Sequence, residues 1–510
     1  MLSSRHTLLL AFALSVLPTL PGMAAQPFDE LLRRVPPGAN AIVIMDVERC
    51  LSCSMATKEK WHDKRESAYV DRPIILPPEA DNIVLAAQLD PMADMEARWE
   101  LAVMQLHEPI AIRSIARAEG GYVDTVNGLE SAWTPSNAYF VKLDDRHLGM
   151  MYPANRQFVS RWSTYGTENQ EIRISPYLRS AADAFEDSGQ IMMAIDLRDM
   201  PQEHRIRERL ADSPVIPDKL KNDDTLIDDA LVDAVTSIQG IVLNVDIDSK
   251  ARGRMRVDFA SDISILKPFA KPLVLEVMDK MGAVIIDFND WKVTVEDMSI
   301  VMEGDLSADG LRRIFSILEV PTAKFSSLSD QTAAPSSSQQ PATEEVIGRV
   351  SKSYFGSIET LMKDLRSNLK PNNGSHAVWF ERYARKIDRL PILNVDEVLL
   401  EFGAQVGESF RTIAYARRGA SAKRGIQNTA TQKAYSSYGT RNYGRYGRSG
   451  YGRGYRGGGG TSRTASNQRM TIRAQTDATA NKVRYSEWNE LENGMAGMRK
   501  TMTQKYKIEF

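Results

Sequence analysis

The chain has 510 residues, 43% of them hydrophobic and 25% charged, with a formal net charge of −2 at pH 7. An apolar share of that size excludes a chain with no core to bury, and the length suits two to four domains of roughly 150 residues each. The near-zero balance hides one strongly basic stretch: no acidic residue lies between Glu408 and Asp477, where arginine and lysine accumulate.

At the start, Arg5 and His6 form a short polar opening, Leu8 to Leu17 is an apolar run of about ten residues, and Pro18 and Pro21 precede Gly22-Met23-Ala24. This pattern predicts a secretory signal over residues 1–24. The run is shorter than the roughly 20 apolar residues a bilayer span needs, and no later segment reaches that length. An exported mature chain without an integral membrane span is therefore expected, periplasmic or extracellular and associated with the cell envelope; an uncleaved N-terminal anchor is the alternative.

Ala41 to Met45 is a continuous apolar run after Pro36-Pro37-Gly38, as in a buried strand. A polar helix is predicted from Met55 to Tyr69, strands at Ile83 to Leu89 and Trp99 to Leu106, and a helix from Ile110 to Ala118. In "YVDTVNGLESAW", Asn127-Gly128 separates two alternating runs and predicts a type I′ hairpin, whose central residues both need φ > 0. Tyr139 to Leu143 and Leu148 to Tyr152 make a further strand pair, and Asn155 to Thr164 a helix.

The order then begins again. Ser175-Pro176 caps a helix through Phe185. Ile191 to Leu197 is a second buried strand, and both strands end in an Asp-aliphatic pair, "IMDV" at 44–47 and "AIDL" at 194–197. Helices at Pro201 to Leu210 and Ile227 to Val235 follow, then a hairpin of Ile241 to Ile247 with Arg254 to Phe259. A helix from Ile263 to Met281, a hairpin of Trp291 to Val295 with Ser299 to Glu303, and a helix from Leu311 capped by Ser307 complete the series. The two series match at an offset of roughly 150 residues. The fold class read from this is α+β: tandem antiparallel-sheet units over 25–165 and 166–320, each with its helices on one face.

Residues 321–342 are rich in serine, glutamine and proline and read as a flexible linker. Beyond it, apolar residues recur every three or four positions, as in Ile347, Val350, Tyr354, Ile358, Leu361 and Leu365, and again through Phe380, Phe402, Phe410 and Trp488. A helical bundle or hairpin module is expected over 343–418, with 481–510 as its C-terminal helix. Between them, 419–480 reads as a disordered segment rich in glycine, tyrosine and arginine. Its candidates for polyanion binding are Arg441, Tyr443, Arg445, Tyr446, Arg448, Tyr451, Arg453, Tyr455 and Arg456, because guanidinium groups and aromatic rings together suit phosphate and base stacking. The other reading of this segment is a solubilising loop.

Cys50 and Cys53 are the only cysteines. In an oxidising compartment they are candidates for a local disulfide, with inert thiols or a thioredoxin-like pair as the alternatives. The histidines are isolated and form no HExxH pair. "VDID" at 245–248 lacks the glycine of a calcium loop. Met495, Met498 and Met502, at helical spacing beside Trp488, read as packing before they read as a soft metal site. No catalytic residue, metal or cofactor is assigned.

The stretches "NAYFVKLDDRHLGMMYPANRQFVSRW", "RYARKIDRLPILNVDEVLLEFGAQV" and "MRKTMTQKYKIEF" resemble segments of an uncharacterised group of exported bacterial proteins. The resemblance implies export and transfers no active-site residue. Three functions are in view. The first is a non-catalytic cell-envelope protein acting through protein or polyanion contacts, including self-association through the helical module. The second is a hydrolase with carboxylates in a cleft between the repeats. The third is a binder of DNA or anionic polysaccharide through the basic segment.

Overall fold

The computed structural model describes residues 28–61, 79–90, 95–119, 121–134, 137–185, 189–198, 200–216, 221–222, 226–227, 229–281, 283–315, 344–367, 377–388, 390, 394–441 and 459–510. The predicted signal at 1–24 and the linker at 321–342 lie outside these residues.

In chain order the strands are β1 (Ala41–Asp46), β2 (Ala80–Asp90), β3 (Glu96–Leu106), β4 (Tyr122–Val126), β5 (Leu129–Thr134), β6 (Ala138–Lys142), β7 (His147–Tyr152), β8 (Ile191–Asp196), β9 (Lys221–Asn222), β10 (Leu226–Ile227), β11 (Ile238–Ile247), β12 (Ala251–Phe259), β13 (Lys292–Val295) and β14 (Ser299–Leu306). All but the β9-β10 hairpin belong to one antiparallel sheet of 12 strands, ordered β13-β14-β12-β11-β8-β1-β2-β3-β7-β6-β5-β4. With the helical C-terminal region, this is an α+β fold.

The duplication is written into the strand pairing. Outward from β1 run β2, β3, β7 and β6; outward from β8 run β11, β12, β14 and β13. The two series meet where β1 pairs with β8, and Val43 stands opposite Met193, its own counterpart in the second series. Side chains repeat the symmetry. Asn40, just ahead of β1, donates from Nδ2 to the Leu89 carbonyl (2.8 Å) and accepts the Leu89 N–H at Oδ1 (2.7 Å). Gln190, just ahead of β8, does the same to Ile247, at 2.7 and 2.5 Å. The Asp46 N–H donates to the Gln190 carbonyl and the Asp196 N–H to that of Asn40, at 2.9 and 2.8 Å. Each amide side chain thus ties the strand beside it as a backbone group would, pairing both the N–H and the carbonyl of Leu89 or of Ile247.

β1 is apolar from Ala41 to Met45 because both its faces are covered. Ala41, Val43 and Met45 join one core cluster, Ile42 and Ile44 the other. This corrects the expectation of helices on one face. Helices Asp29–Leu32, Arg156–Glu168 and Pro176–Asp183 cover the second cluster through Leu31, Trp162 and Leu178. Helix Ile112–Glu119 and the C-terminal helices cover the first. The helices that close the two units land on opposite faces: Val159 and Trp162 of Arg156–Glu168 on one, Leu311 and Ile314 of Ala308–Phe315 on the other. Beyond β11, one face of the sheet therefore meets water, and β12 alternates exposed Arg252, Arg254 and Arg256 with buried Gly253, Met255 and Val257.

Several turns form as their chemistry requires. Asn127 and Gly128 have φ of 51° and 80° between β4 and β5. Asn155 accepts the N–H groups of Gln157 and Phe158 at the start of its helix, and Ser175 accepts that of Leu178 with Pro176 in the first turn. The polar helix expected from Met55 instead begins earlier, as Val47–Ser52 and Ser54–Lys58, because Asp46 caps the first and Cys53 the second.

The helical module of Glu344–Ser367, Ala377–Asp388, Glu397–Arg441 and Gly459–Tyr506 adds residues from all four helices, among them Phe355, Tyr383, Phe410 and Trp488, to the first core cluster. Trp379 Nε1 donates to the Val284 carbonyl at 2.8 Å. Arg312 meets the buried Asp364 at 2.7 Å. Phe410 stacks on Trp488 at 6.3 Å between centroids. The last helix is latched at its end: Asp396 accepts from Lys505 Nζ (2.5 Å) and from the Tyr506 hydroxyl, while Phe510 packs edge-on to Phe355. Among the described residues, no helix is long and apolar enough to cross a membrane.

Candidate functional site

Two long helices carry the acid-free stretch. Glu397–Arg441 has 45 residues and Gly459–Tyr506 has 48; at 1.5 Å per residue each is about 70 Å long. Near their base, arginines meet acids: Arg418 contacts Glu381 at 2.5 Å and Arg411 contacts Asp388. Arg417 Nη2 donates to Asn481 Oδ1 at 2.6 Å and ties one helix to the other. Further along, the sequence supplies Lys423, Arg424, Lys433 and Arg441 on the first helix and Arg463, Arg469 and Arg473 on the second, with no carboxylate before Asp477. Within that stretch no i,i+4 acid-base pair can form.

Here the expectation of disorder is corrected for 419–441 and 459–480, while 442–458 lie outside the described residues. Residues 419–441 and 459–480 are helical in the structure. The physical reason is compositional: alanine, lysine, glutamine and arginine favour helix, and glycine is dense only between Gly444 and Gly460. Of the polyanion candidates, Arg441 is the last residue of its helix. Tyr443, Arg445, Tyr446, Arg448, Tyr451, Arg453, Tyr455 and Arg456 lie outside the described residues.

Cys50 and Cys53 are both buried and stand as free thiols, in line with the inert-thiol alternative. Cys53 sits between two short helices and turns its sulfur inward along the second, where it accepts the Ala56 N–H at 3.3 Å. Burial pushes the Cys50 thiol far up, helped by the nearby Asp46 charge, so it is held away from the nucleophilic thiolate. In "VDID", Asp248 accepts from the Ser54 hydroxyl at 2.8 Å. Its carboxyl is held below the usual range by that bond and by backbone donors. Met495 and Met502 are buried in the helical core. His376 and His62 lie outside the described residues.

The described histidines include two with carboxylate neighbours: His107 lies 3.5 Å from Asp81 at the surface, and His147 is buried. Asp144 and His147 share the turn between β6 and β7, where Asp144 Oδ1 accepts the N–H groups of Arg146 and His147, both at 2.9 Å. The same carboxylate lies 2.8 Å from His147 Nδ1. The imidazole is 6% exposed, and its Nε2 faces Glu30 Oε1 at 3.6 Å without a hydrogen-bond partner. Arg34 Nη2 reaches Glu30 at 3.2 Å and Asp144 at 3.0 Å, and its Nη1 donates to the Gly166 carbonyl at 3.1 Å. Burial alone would raise the Asp144 carboxyl, but donors from Arg146 and His147 and the Arg34 charge outweigh it and hold the carboxyl below the usual range. Glu30, Asp144 and His147 form a group able to hold a metal ion. Sequence reading missed it because Glu30 comes from a distant helix; the local signal was the Asp-x-x-His spacing of a hairpin turn.

No protein-family model matches the sequence, and no curated protein matches it. Among solved structures, crystal form I of TP0453 is similar at 13% identity with a TM-score of 0.33, covering 56% of this chain and 97% of that one. Crystal form III of the same protein is similar at 14% and 0.33, covering 55% and 95%.

Proposed function

We propose that the chain is an exported, non-catalytic protein of the cell envelope whose α+β body anchors a pair of basic helices for polyanion binding. One observation carries this reading. Much of the acid-free sequence between Glu408 and Asp477 lies on two long helices, 419–441 and 459–476, whose other ends join a buried core. Lysine and arginine concentrated without acidic neighbours suit a phosphate or sulfate polymer, whose binding releases counterions. Export would make envelope polysaccharide, lipid headgroups or extracellular DNA the available partners. The hydrolase reading draws no support from the junction of the repeats, which is filled by the β1-β8 strand pair.

The test is fluorescence anisotropy of the full-length protein with labelled single-stranded DNA and with a sulfated polysaccharide across a salt series. Binding should weaken with salt at a slope of about −0.7 for each DNA phosphate engaged. The combined variant K423E, R424E and K433E should lower affinity at least tenfold at physiological salt. Salt-independent binding, or a variant that binds as the parent does, would overturn the proposal.

A further inference from the structure

The buried Nε2 of His147 has no hydrogen-bond partner. A neutral imidazole carries one N–H. With Asp144 against Nδ1 at 2.8 Å, that N–H belongs on Nδ1. Nε2 then presents a lone pair, in a buried position, to the Glu30 carboxylate 3.6 Å away. Two electron-rich atoms face each other, and a positive centre between them would relieve the repulsion.

We infer that His147 Nε2 and Glu30 bind one divalent cation of the zinc class, with Asp144 as the positioning carboxylate behind the imidazole. The spacing fits. Two ligands each about 2.0–2.1 Å from one ion lie roughly 3.3–3.6 Å apart at tetrahedral to slightly wider angles, and the observed separation is 3.6 Å. The arrangement of Asp144 also fits, since a metal-bound histidine gives its other N–H to a carboxylate that fixes tautomer and ring orientation. Asp144 is itself fixed by two backbone donors. The Glu30 side chain is 49% exposed, so water can fill the remaining positions on the ion. Arg34 opposes the ion, because its guanidinium already shares both carboxylates. The site is therefore weak, and removing Arg34 should strengthen it.

The experiment uses the full-length protein after chelator treatment, titrated with Co²⁺ by visible absorption and with Zn²⁺ against a chromophoric chelator. One equivalent should bind, with cobalt bands of a low-coordinate site. H147A should abolish binding and E30Q should weaken it at least tenfold. D144N should weaken it roughly 10–100-fold through the lost orientation, R34A should tighten it, and H107A should leave it unchanged. If H147A does not fold, the E30Q and R34A pair decides, since Glu30 is exposed on a short helix. A parent protein that takes up no metal, or binding retained in both H147A and E30Q, would overturn the inference. So would a histidine NMR signal showing His147 as an imidazolium with no metal bound, because a proton would then fill the gap.

Discussion

The two repeats solve the same packing problem with different closing helices. In the first, helix Arg156–Glu168 returns to the face already covered by Asp29–Leu32, and Trp162 lies over Gly149, where a Cβ would come within 2.1 Å of the ring. In the second, Trp291 packs over Gly253 and Gly304 on the opposite face, and helix Ala308–Phe315 closes that side. The first repeat also extends its sheet by the β4-β5 hairpin, which has no counterpart in that sheet among the described residues of the second. Strand order and the amide ties survive between the repeats while the covering layer does not. Backbone pairing constrains a duplicated unit more tightly than the choice of which face receives a helix.

Four experiments would sharpen or break that comparison. Trp162→Ala and Trp291→Ala remove equivalent volumes from opposite faces, and each should cost about 3–5 kcal/mol in denaturant unfolding; a near-neutral result for one would show that its layer is dispensable. Gly149→Ala forces a methyl group into the Trp162 ring and should cost about 1–3 kcal/mol. Gln190→Ala and Asn40→Ala each delete a two-bond tie, at about 1–2 kcal/mol. Gln190, the more buried of the two, should cost more, and a reversed order would separate burial from hydrogen bonding as the source. The smallest effect is in acid. The Asp124 carboxyl is held low by the Arg156 hydrogen bond, and that of Asp196 by Arg198 and Ser175 against the opposing effect of burial. A depressed folded value gives stability that is present above the ordinary carboxylate range and is lost as pH falls through the folded value. Asp124→Asn and Asp196→Asn should therefore each flatten the decline of stability below about pH 4, by about 1 kcal/mol or less because water still screens the arginine partners.

Much of this was legible locally. The runs that became β1 and β8, the Asn127-Gly128 turn and the Ser175-Pro176 cap are each decided within a few residues, and sequence reading recovers them. The facing of a closing helix is not local, since Leu311 and Val159 sit in similar apolar stripes whichever side they cover. The amide ties were visible only as a polar residue before each apolar run. The His147 group needed residues more than a hundred positions apart, and composition over 419–480 drew attention to glycine at the expense of the helix formers around it.

The junction at Val43 and Met193 has the geometry of a symmetric dimer interface fused into one polypeptide. Cut between the repeats, each fragment would bare an apolar strand with a full row of open hydrogen-bonding groups. Its best available partner would be the matching strand of an identical fragment, so separately produced halves should assemble as homodimers or precipitate.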